Sequence, residues 1–219
     1  ANAVAPGGEV LGIDISPDLT AASTKRASDA GVGNIRFICA DASNVQLPDA
    51  PFDRLFSRFG SMFFAEPHQA FANLRSLLRP GARIDLAVWA SPRDNLWMME
   101  MMGVVRRHVD IPPAVPRAPG PFAFEDLEYL NEVLAAGGFS SPDIMAYTGQ
   151  QPVGGVGATA QEAVSFVLSS MAVGKALDEQ GTDVRAAAEG ELLELFAKHH
   201  VPNQGVMMQG KAWLVSAKA

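Results

Sequence analysis

The chain has 219 residues, of which 48% are hydrophobic and 19% are charged, and its formal net charge at pH 7 is −7. This composition excludes collagen, coiled coil and general disorder. The acidic balance, without a run of Lys and Arg, disfavours a nucleic-acid partner, because phosphate binding needs clustered cations. No stretch approaches the ~20 apolar residues that span a bilayer, and the one cysteine, Cys39, cannot form an intramolecular disulfide. We therefore predict a cytoplasmic protein with no membrane or nucleic-acid partner.

The first half of the chain alternates short apolar runs, typical of buried strands, with helical patterns. Ser16 and Pro17 indicate a helix start, because Ser is a preferred N-cap and Pro suits the first helical position. Strands and helices that alternate at this spacing predict βαβ units and a mainly parallel sheet. The predicted strands cover residues 9–15, 35–40, 52–57 and 83–89, and the predicted helices cover 17–30 and 67–78.

The second half is less regular, and its glycine-rich segment at 154–157 is interpreted as a hinge. The predicted elements are a methionine-rich helix over 95–109, a proline-rich loop over 110–123, helices over 125–136, 160–179 and 183–199, and strands over 141–153 and 206–217. We predict a doubly wound α/β core over 1–153 and 201–219, with a helical lid over 154–200 inserted before the last strand.

Acidic residues stand at the ends of the first two predicted strands. Asp14 ends the first, Asp41 follows the second, and Ser57 and Arg58 end the third. Ligands of open parallel sheets bind beyond the carboxyl ends of the strands. A carboxylate at Asp14 can accept both hydroxyls of a ribose, and one at Asp41 can accept from the exocyclic amine of adenine. Each aspartate alone could serve only as a cap or turn residue, but the pair together predicts an adenosine site.

Two cofactor classes use such a pair, the nicotinamide dinucleotides and S-adenosylmethionine. The layout is also similar to that of short-chain dehydrogenases, which need a Tyr four residues before a Lys. The two tyrosines, Tyr129 and Tyr147, are followed at that spacing by Val133 and Gln151. Hydride transfer by that mechanism is therefore disfavoured.

Several motifs, taken in chain order, resemble those of class I S-adenosylmethionine-dependent methyltransferases. The similarity is greatest to the group of ubiquinone and menaquinone biosynthesis methyltransferases, and it covers about residues 1–90. A segment after the third strand is similar to a motif of a bacterial small-molecule subgroup. The motifs are VLGIDISP at 10–17, FICADA at 37–42, LP at 47–48, FD at 52–53, LRPG at 78–81 and, for the subgroup, SRFGSMFF at 57–64.

This resemblance implies S-adenosylmethionine as cofactor and assigns a role to each site residue. In the family, the acid at the position of Asp14 binds the ribose hydroxyls, and its neighbour at Ile15 lies against the adenine. The acid at Asp41 meets the adenine amine, the backbone at Ala42 reads the ring nitrogen, and Ser57 and Arg58 line the methionine end. The resemblance also implies a further strand and a glycine-rich loop before residue 9, with that strand lying between the strands at 10–15 and 52–57.

The predicted function is transfer of a methyl group to a small, partly hydrophobic acceptor, through in-line attack by an O, N or C atom. Positioning of two reactants in a dry cavity supplies most of the catalysis in such a reaction. No catalytic residue is assigned, since His68, His108 and Arg58 are unranked candidates, and no metal site is predicted. The alternatives are a nicotinamide-dependent oxidoreductase and a non-catalytic protein that binds an adenosyl ligand. The oligomeric state stays open, with a homodimer among the options.

Overall fold

The computed structural model describes residues 1–219, which form seven strands and seven α-helices. The strands are β1 (Val10–Asp14), β2 (Ile35–Cys39), β3 (Phe52–Arg58), β4 (Leu78–Trp89), β5 (Ser140–Val153), β6 (His200–Val201) and β7 (Gly205–Lys218). The helices are α1 (Pro17–Asp29), α2 (Pro67–Ser76), α3 (Leu96–Val105), α4 (Leu127–Ala136), α5 (Ala160–Ser170), α6 (Ala172–Asp178) and α7 (Thr182–Lys198). Ser16 is the N-cap of α1 as predicted, and its hydroxyl accepts from the Leu19 N–H.

The strands form two separate sheets. β1 and β2 make a two-stranded parallel sheet, in which Asp14 lies opposite Cys39. The larger sheet has the order β3-β4-β7-β5, with β6 beside one end of β7. β3 and β4 are parallel, and β7 runs antiparallel to both β4 and β5. The carboxyl ends of β1, β2, β3 and β4 carry the predicted site residues or the loops next to them.

β1 and β3 each pair with a neighbour on one side only. The other edge of each strand has no main-chain partner within residues 1–219. The resemblance places a further strand of the family between these two. That further strand stays a prediction, and β2 and β5 are edge strands as well.

The chain has two hydrophobic cores. The first lies between the larger sheet and helices α2 and α4, and includes Phe71, Ile84, Phe124 and Leu134. The second lies where α3, α5, α6 and α7 pack against the C-terminal end of β5 and the N-terminal end of β7. The methionine-rich face of α3 belongs to this second core, with Met101 almost fully buried. These methionines therefore pack against the helices of 154–200, which makes α3 part of the same helical layer.

Some predicted boundaries are wrong. The helix predicted over 160–179 is broken at Met171, whose extended backbone separates α5 from α6. The break lets α6 fold back tightly, since a Cβ at Gly174 would lie 1.7 Å from the Leu168 carbonyl oxygen. The helix predicted over 67–78 ends at Ser76, and β4 begins at Leu78, earlier than predicted. No helix of the chain is long and apolar enough to cross a membrane.

Candidate functional site

Asp14 and Asp41 lie at the carboxyl edge of the small sheet. The Ala40 N–H donates to the Asp14 carbonyl at 3.0 Å, which joins the end of β1 to the residue after β2. The Cys39 thiol donates to the Ile15 carbonyl at 3.5 Å. Parallel pairing of two short strands therefore brings the two predicted acids together at neighbouring strand ends.

Both carboxylates close a turn of the same kind. One oxygen of Asp14 accepts from the Ser16 N–H, and one oxygen of Asp41 accepts from the Ser43 N–H, each at 2.8 Å. The backbone and hydroxyl of Ser43 lower the pKa of Asp41 below its usual value, so this group stays ionised at neutral pH. The second oxygen of Asp14 accepts no hydrogen bond from the protein, and Asp41 has no hydrogen-bonding partner besides Ser43. The turn role and a ligand role are thus compatible in both residues.

The residues that follow the two acids differ in exposure. Ile15 is 71% exposed, although it directly follows β1, whose residues are all partly buried. Ala42 is half-buried, and it packs against the core of the larger sheet. An exposed apolar side chain beside two carboxylates suits the flat face of a purine ring.

Ser57 and Arg58 lie at the end of β3, in the other sheet. The Ser57 hydroxyl accepts from the Ser61 N–H at 3.2 Å and holds the loop that follows the strand. Arg58 is exposed, and its side chain makes no hydrogen bond within the protein. The structure thus brings Asp14, Ile15, Asp41 and Ala42 together in one group, and it places Ser57 and Arg58 on a separate strand end with no hydrogen bond to that group.

An aromatic row begins directly after Arg58. Phe59 has φ of 61°, a left-handed conformation that costs energy in a bulky residue and is concentrated at functional sites. Its ring stacks on Trp89, at the end of β4, with centroids 4.0 Å apart and planes 9° apart. Trp89 in turn contacts Trp97 at 5.3 Å. Nothing in the sequence indicates this strain, because the neighbouring Gly60 is the residue expected to adopt such a backbone.

Asn95 holds Trp97 at the end of this row, and its sequence context does not identify it as a functional residue. It is fully buried. Its amide oxygen accepts from the Trp97 indole at 3.1 Å and from the Lys211 N–H at 3.0 Å. Its amide nitrogen donates to the carbonyls of Ser91, Lys211 and Ala90. In the sequence it resembles an ordinary helix N-cap, whereas two of its hydrogen bonds join it to Lys211, 116 residues away on β7.

The histidines make no hydrogen bond with the predicted site residues. His68, on α2, lies 3.3 Å from Glu132 on α4, and His108 lies 3.2 Å from Glu191 on α7. His199 contacts Glu100 at 2.7 Å and joins α7 to α3. The structure therefore gives no reason to rank His68 or His108 as a catalytic base.

Comparison with known proteins gives the same family as the motifs. Residues 1–85 match the methyltransferase domain family. The chain is 28% identical over 151 residues to a demethylmenaquinone methyltransferase of Thermus thermophilus, covering 62% of this chain and 66% of that protein. It is 33% identical over 95 residues to a ubiquinone/menaquinone biosynthesis C-methyltransferase of Stutzerimonas stutzeri, covering 43% of this chain and 37% of that protein. The chain thus spans about two thirds of the first relative and little more than a third of the second.

The fold is also found among solved structures. The YcgJ protein of Bacillus subtilis superposes with a TM-score of 0.57 at 16% identity, over 96% of this chain and 82% of that one. This likeness confirms the predicted doubly wound, Rossmann-like α/β fold. Residues 1–85 thus match the methyltransferase domain family, the ordered motifs resemble those of the class I S-adenosylmethionine-dependent methyltransferases, and the fold is Rossmann-like.

Proposed function

We propose that the chain binds S-adenosylmethionine at the carboxyl ends of β1, β2 and β3, and that it transfers the methyl group to a small, partly hydrophobic acceptor. The observation that carries this proposal is the pair of carboxylates, Asp14 and Asp41, which lie at neighbouring strand ends and are each held in a turn by a backbone N–H. The relatives named above act on quinone precursors by their names, which supports a small-molecule acceptor.

The residues at these strand ends fit the cofactor chemically. Asp14 would accept the ribose hydroxyls, Asp41 the adenine amine, and the exposed Ile15 would cover the purine face. The Ala42 backbone would read the ring nitrogen, and Ser57 and Arg58 would line the methionine end. The cofactor itself supplies an electrophilic methyl group on a sulfonium. The protein then contributes mainly by orienting the acceptor and excluding water.

A partly hydrophobic acceptor is supported by the aromatic row. Phe59 follows Arg58 directly, so the row of Phe59, Trp89 and Trp97 begins beside the residue proposed for the methionine end. Aromatic faces of this kind stabilise apolar and planar ligands by stacking. No side chain needs to act as nucleophile, because the acceptor atom attacks the methyl group in line with the departing sulfur.

Isothermal calorimetry with S-adenosylhomocysteine, NAD and NADP tests the proposal directly. We expect S-adenosylhomocysteine to bind, and we expect no binding of NAD or NADP. Binding of a nicotinamide dinucleotide in its place would favour the oxidoreductase alternative. Binding of S-adenosylhomocysteine without methyl transfer to any acceptor in a small-molecule panel would favour the non-catalytic alternative.

Asp41→Asn is expected to weaken the binding of S-adenosylhomocysteine by about 1 kcal/mol, because one charge-assisted hydrogen bond becomes neutral. The asparagine oxygen can still accept from the Ser43 N–H, so the turn is retained. The dissociation constant is measured by calorimetry beside that of Asp49→Asn, a change at an exposed acid of the same loop. If Asp41→Asn is more damaging than loss of the Asp14 side chain, the adenine and ribose ends are reversed.

We further propose that the helices of 154–200 act as a lid. α5 and α7 pack on α3, so the moving layer would include α3. The glycine-rich linker at 154–157 is packed closely at one position and open at another. A Cβ at Gly154 would lie 2.8 Å from the Cα of Ala163, whereas Gly155 has open space around it. Amide hydrogens of 160–200 are expected to exchange faster than those of β4 in the free protein, and to slow when S-adenosylhomocysteine binds. Equal protection of the two regions in the free protein would exclude a mobile lid.

A further inference from the structure

The two halves of the proposed site are joined through one side chain. Every hydrogen bond between residues 1–51, which carry Asp14 and Asp41, and residues 52–219, which carry Ser57 and Arg58, involves Asn73 on α2. No ion pair crosses this boundary, and no strand pairing does. The remaining contact across it is apolar packing, such as that of Ala42 against the larger core.

Asn73 holds the loop that follows Asp41. Its amide nitrogen donates to the carbonyls of Ala42 at 3.1 Å and of Val45 at 3.2 Å. Its amide oxygen accepts a weaker hydrogen bond from Gln46 at 3.4 Å. The neighbours of Asn73 on α2, Phe71 and Leu74, are buried in the core. The loop is therefore tied to a rigid part of the molecule.

The peptide unit between Ala42 and Ser43 is held at both ends. Its carbonyl, that of Ala42, accepts from Asn73, and its N–H, that of Ser43, donates to the Asp41 carboxylate at 2.8 Å. A displacement of this peptide would turn the carboxylate with it. Hydrogen bonds in such a chain also strengthen one another.

We propose that Asn73 is a positioning residue for adenine recognition, which aims the carboxylate of Asp41 at the exocyclic amine without touching the ligand. This inference rests on the proposed function. The two hydrogen bonds that Asn73 donates reach back 31 and 28 residues, to the loop that carries Asp41.

The test compares two ligands that differ only at the amine. S-adenosylhomocysteine carries it, and the 6-deamino analogue, with an unsubstituted purine, has a hydrogen atom there. The wild-type chain is expected to prefer S-adenosylhomocysteine about tenfold or more, as one lost hydrogen bond to a charged group requires. Asn73→Ala is expected to reduce that preference to about threefold or less, while the affinity for the 6-deamino analogue changes little. Asn73→Gln, which keeps the amide donor, is expected to recover part of the preference.

Two controls separate this role from general stability. Gln46→Ala removes the weak bond to Asn73 but leaves its bonds to the loop, and Ser76→Ala changes another polar residue near the end of α2. Neither is expected to alter the preference. Equal weakening of both ligands by Asn73→Ala, or an unchanged preference, would overturn the positioning role.

Two further outcomes are decisive. Where Asn73→Ala does not fold, the isosteric Asn73→Asp is measured, and failure of both variants to fold would assign Asn73 to structure alone. Failure of the wild-type chain to bind either ligand would instead overturn the proposed function, and the positioning role with it.

Discussion

Asn95→Ala is expected to lower the free energy of unfolding by about 3 kcal/mol, which is a large share of the ~5–15 kcal/mol typical of a domain. The change leaves the Lys211 N–H and the Trp97 indole without the acceptor they share, in a position with no exposure to solvent. It also removes the donor to three carbonyls around the end of β4. Buried polar groups that lose their partners carry the full cost of desolvation.

Urea denaturation, followed by circular dichroism, measures this loss. Asn44→Ala is the matched control, because Asn44 is exposed and its side chain makes no hydrogen bond. We expect the control to stay within about 0.5 kcal/mol of the wild type. An equal effect of the two changes would show that water replaces Asn95 at the β4–β7 junction.

Loss of the Asp14 side chain gives the largest expected effect on binding. Asp14→Ala should weaken the binding of S-adenosylhomocysteine by about 1.5–3 kcal/mol, or roughly 10- to 150-fold, because charge-assisted hydrogen bonds to the ribose disappear. Calorimetry at neutral pH measures the change. The variant also loses the turn bond to the Ser16 N–H, so its thermal unfolding is recorded in parallel.

A second substitution separates the ligand role of Asp14 from its turn role. Asp14→Asn can keep the bond to the Ser16 N–H while it loses the charge, and it is expected to bind more weakly than the wild type with an unchanged melting temperature. Asp18→Ala, at an exposed acid in the first turn of α1, serves as the control. An unchanged dissociation constant in a folded Asp14→Ala variant would remove the ribose assignment.

Local patterns were sufficient for most of the fold. The apolar run before Asp14, the cap at Ser16 and the alternation of strands with helices each arise from neighbours within a few residues. The strand ends then follow from parallel pairing, which is why Asp14 and Asp41 could be placed together from the sequence. These patterns therefore predict only structure that is determined by residues close together in the chain.

The features missed are those set by distant residues. Asn95 looks like a helix cap, and its choice of partners depends on β7. Asn73 has the appearance of a polar residue on a helix surface, and its role depends on where the loop after β2 comes to rest. The break at Met171 is different, because Leu168 and Gly174, which approach each other there, are close in sequence but give no stop signal.

The place of β7 in the larger sheet has a consequence for synthesis. β7 lies between β4 and β5, and the hydrogen bonds of Lys211 reach back 116 residues to Asn95. A nascent chain that has emerged only as far as residue 204 therefore holds β4 and β5 with no strand between them, and with apolar residues such as Ile84 and Val88 already translated. Contacts of such long sequence separation form slowly. The ribosome-bound chain is thus prone to aggregate until the fourteen residues of β7 are inserted. Binding of a chaperone during that interval would protect the unpaired strands.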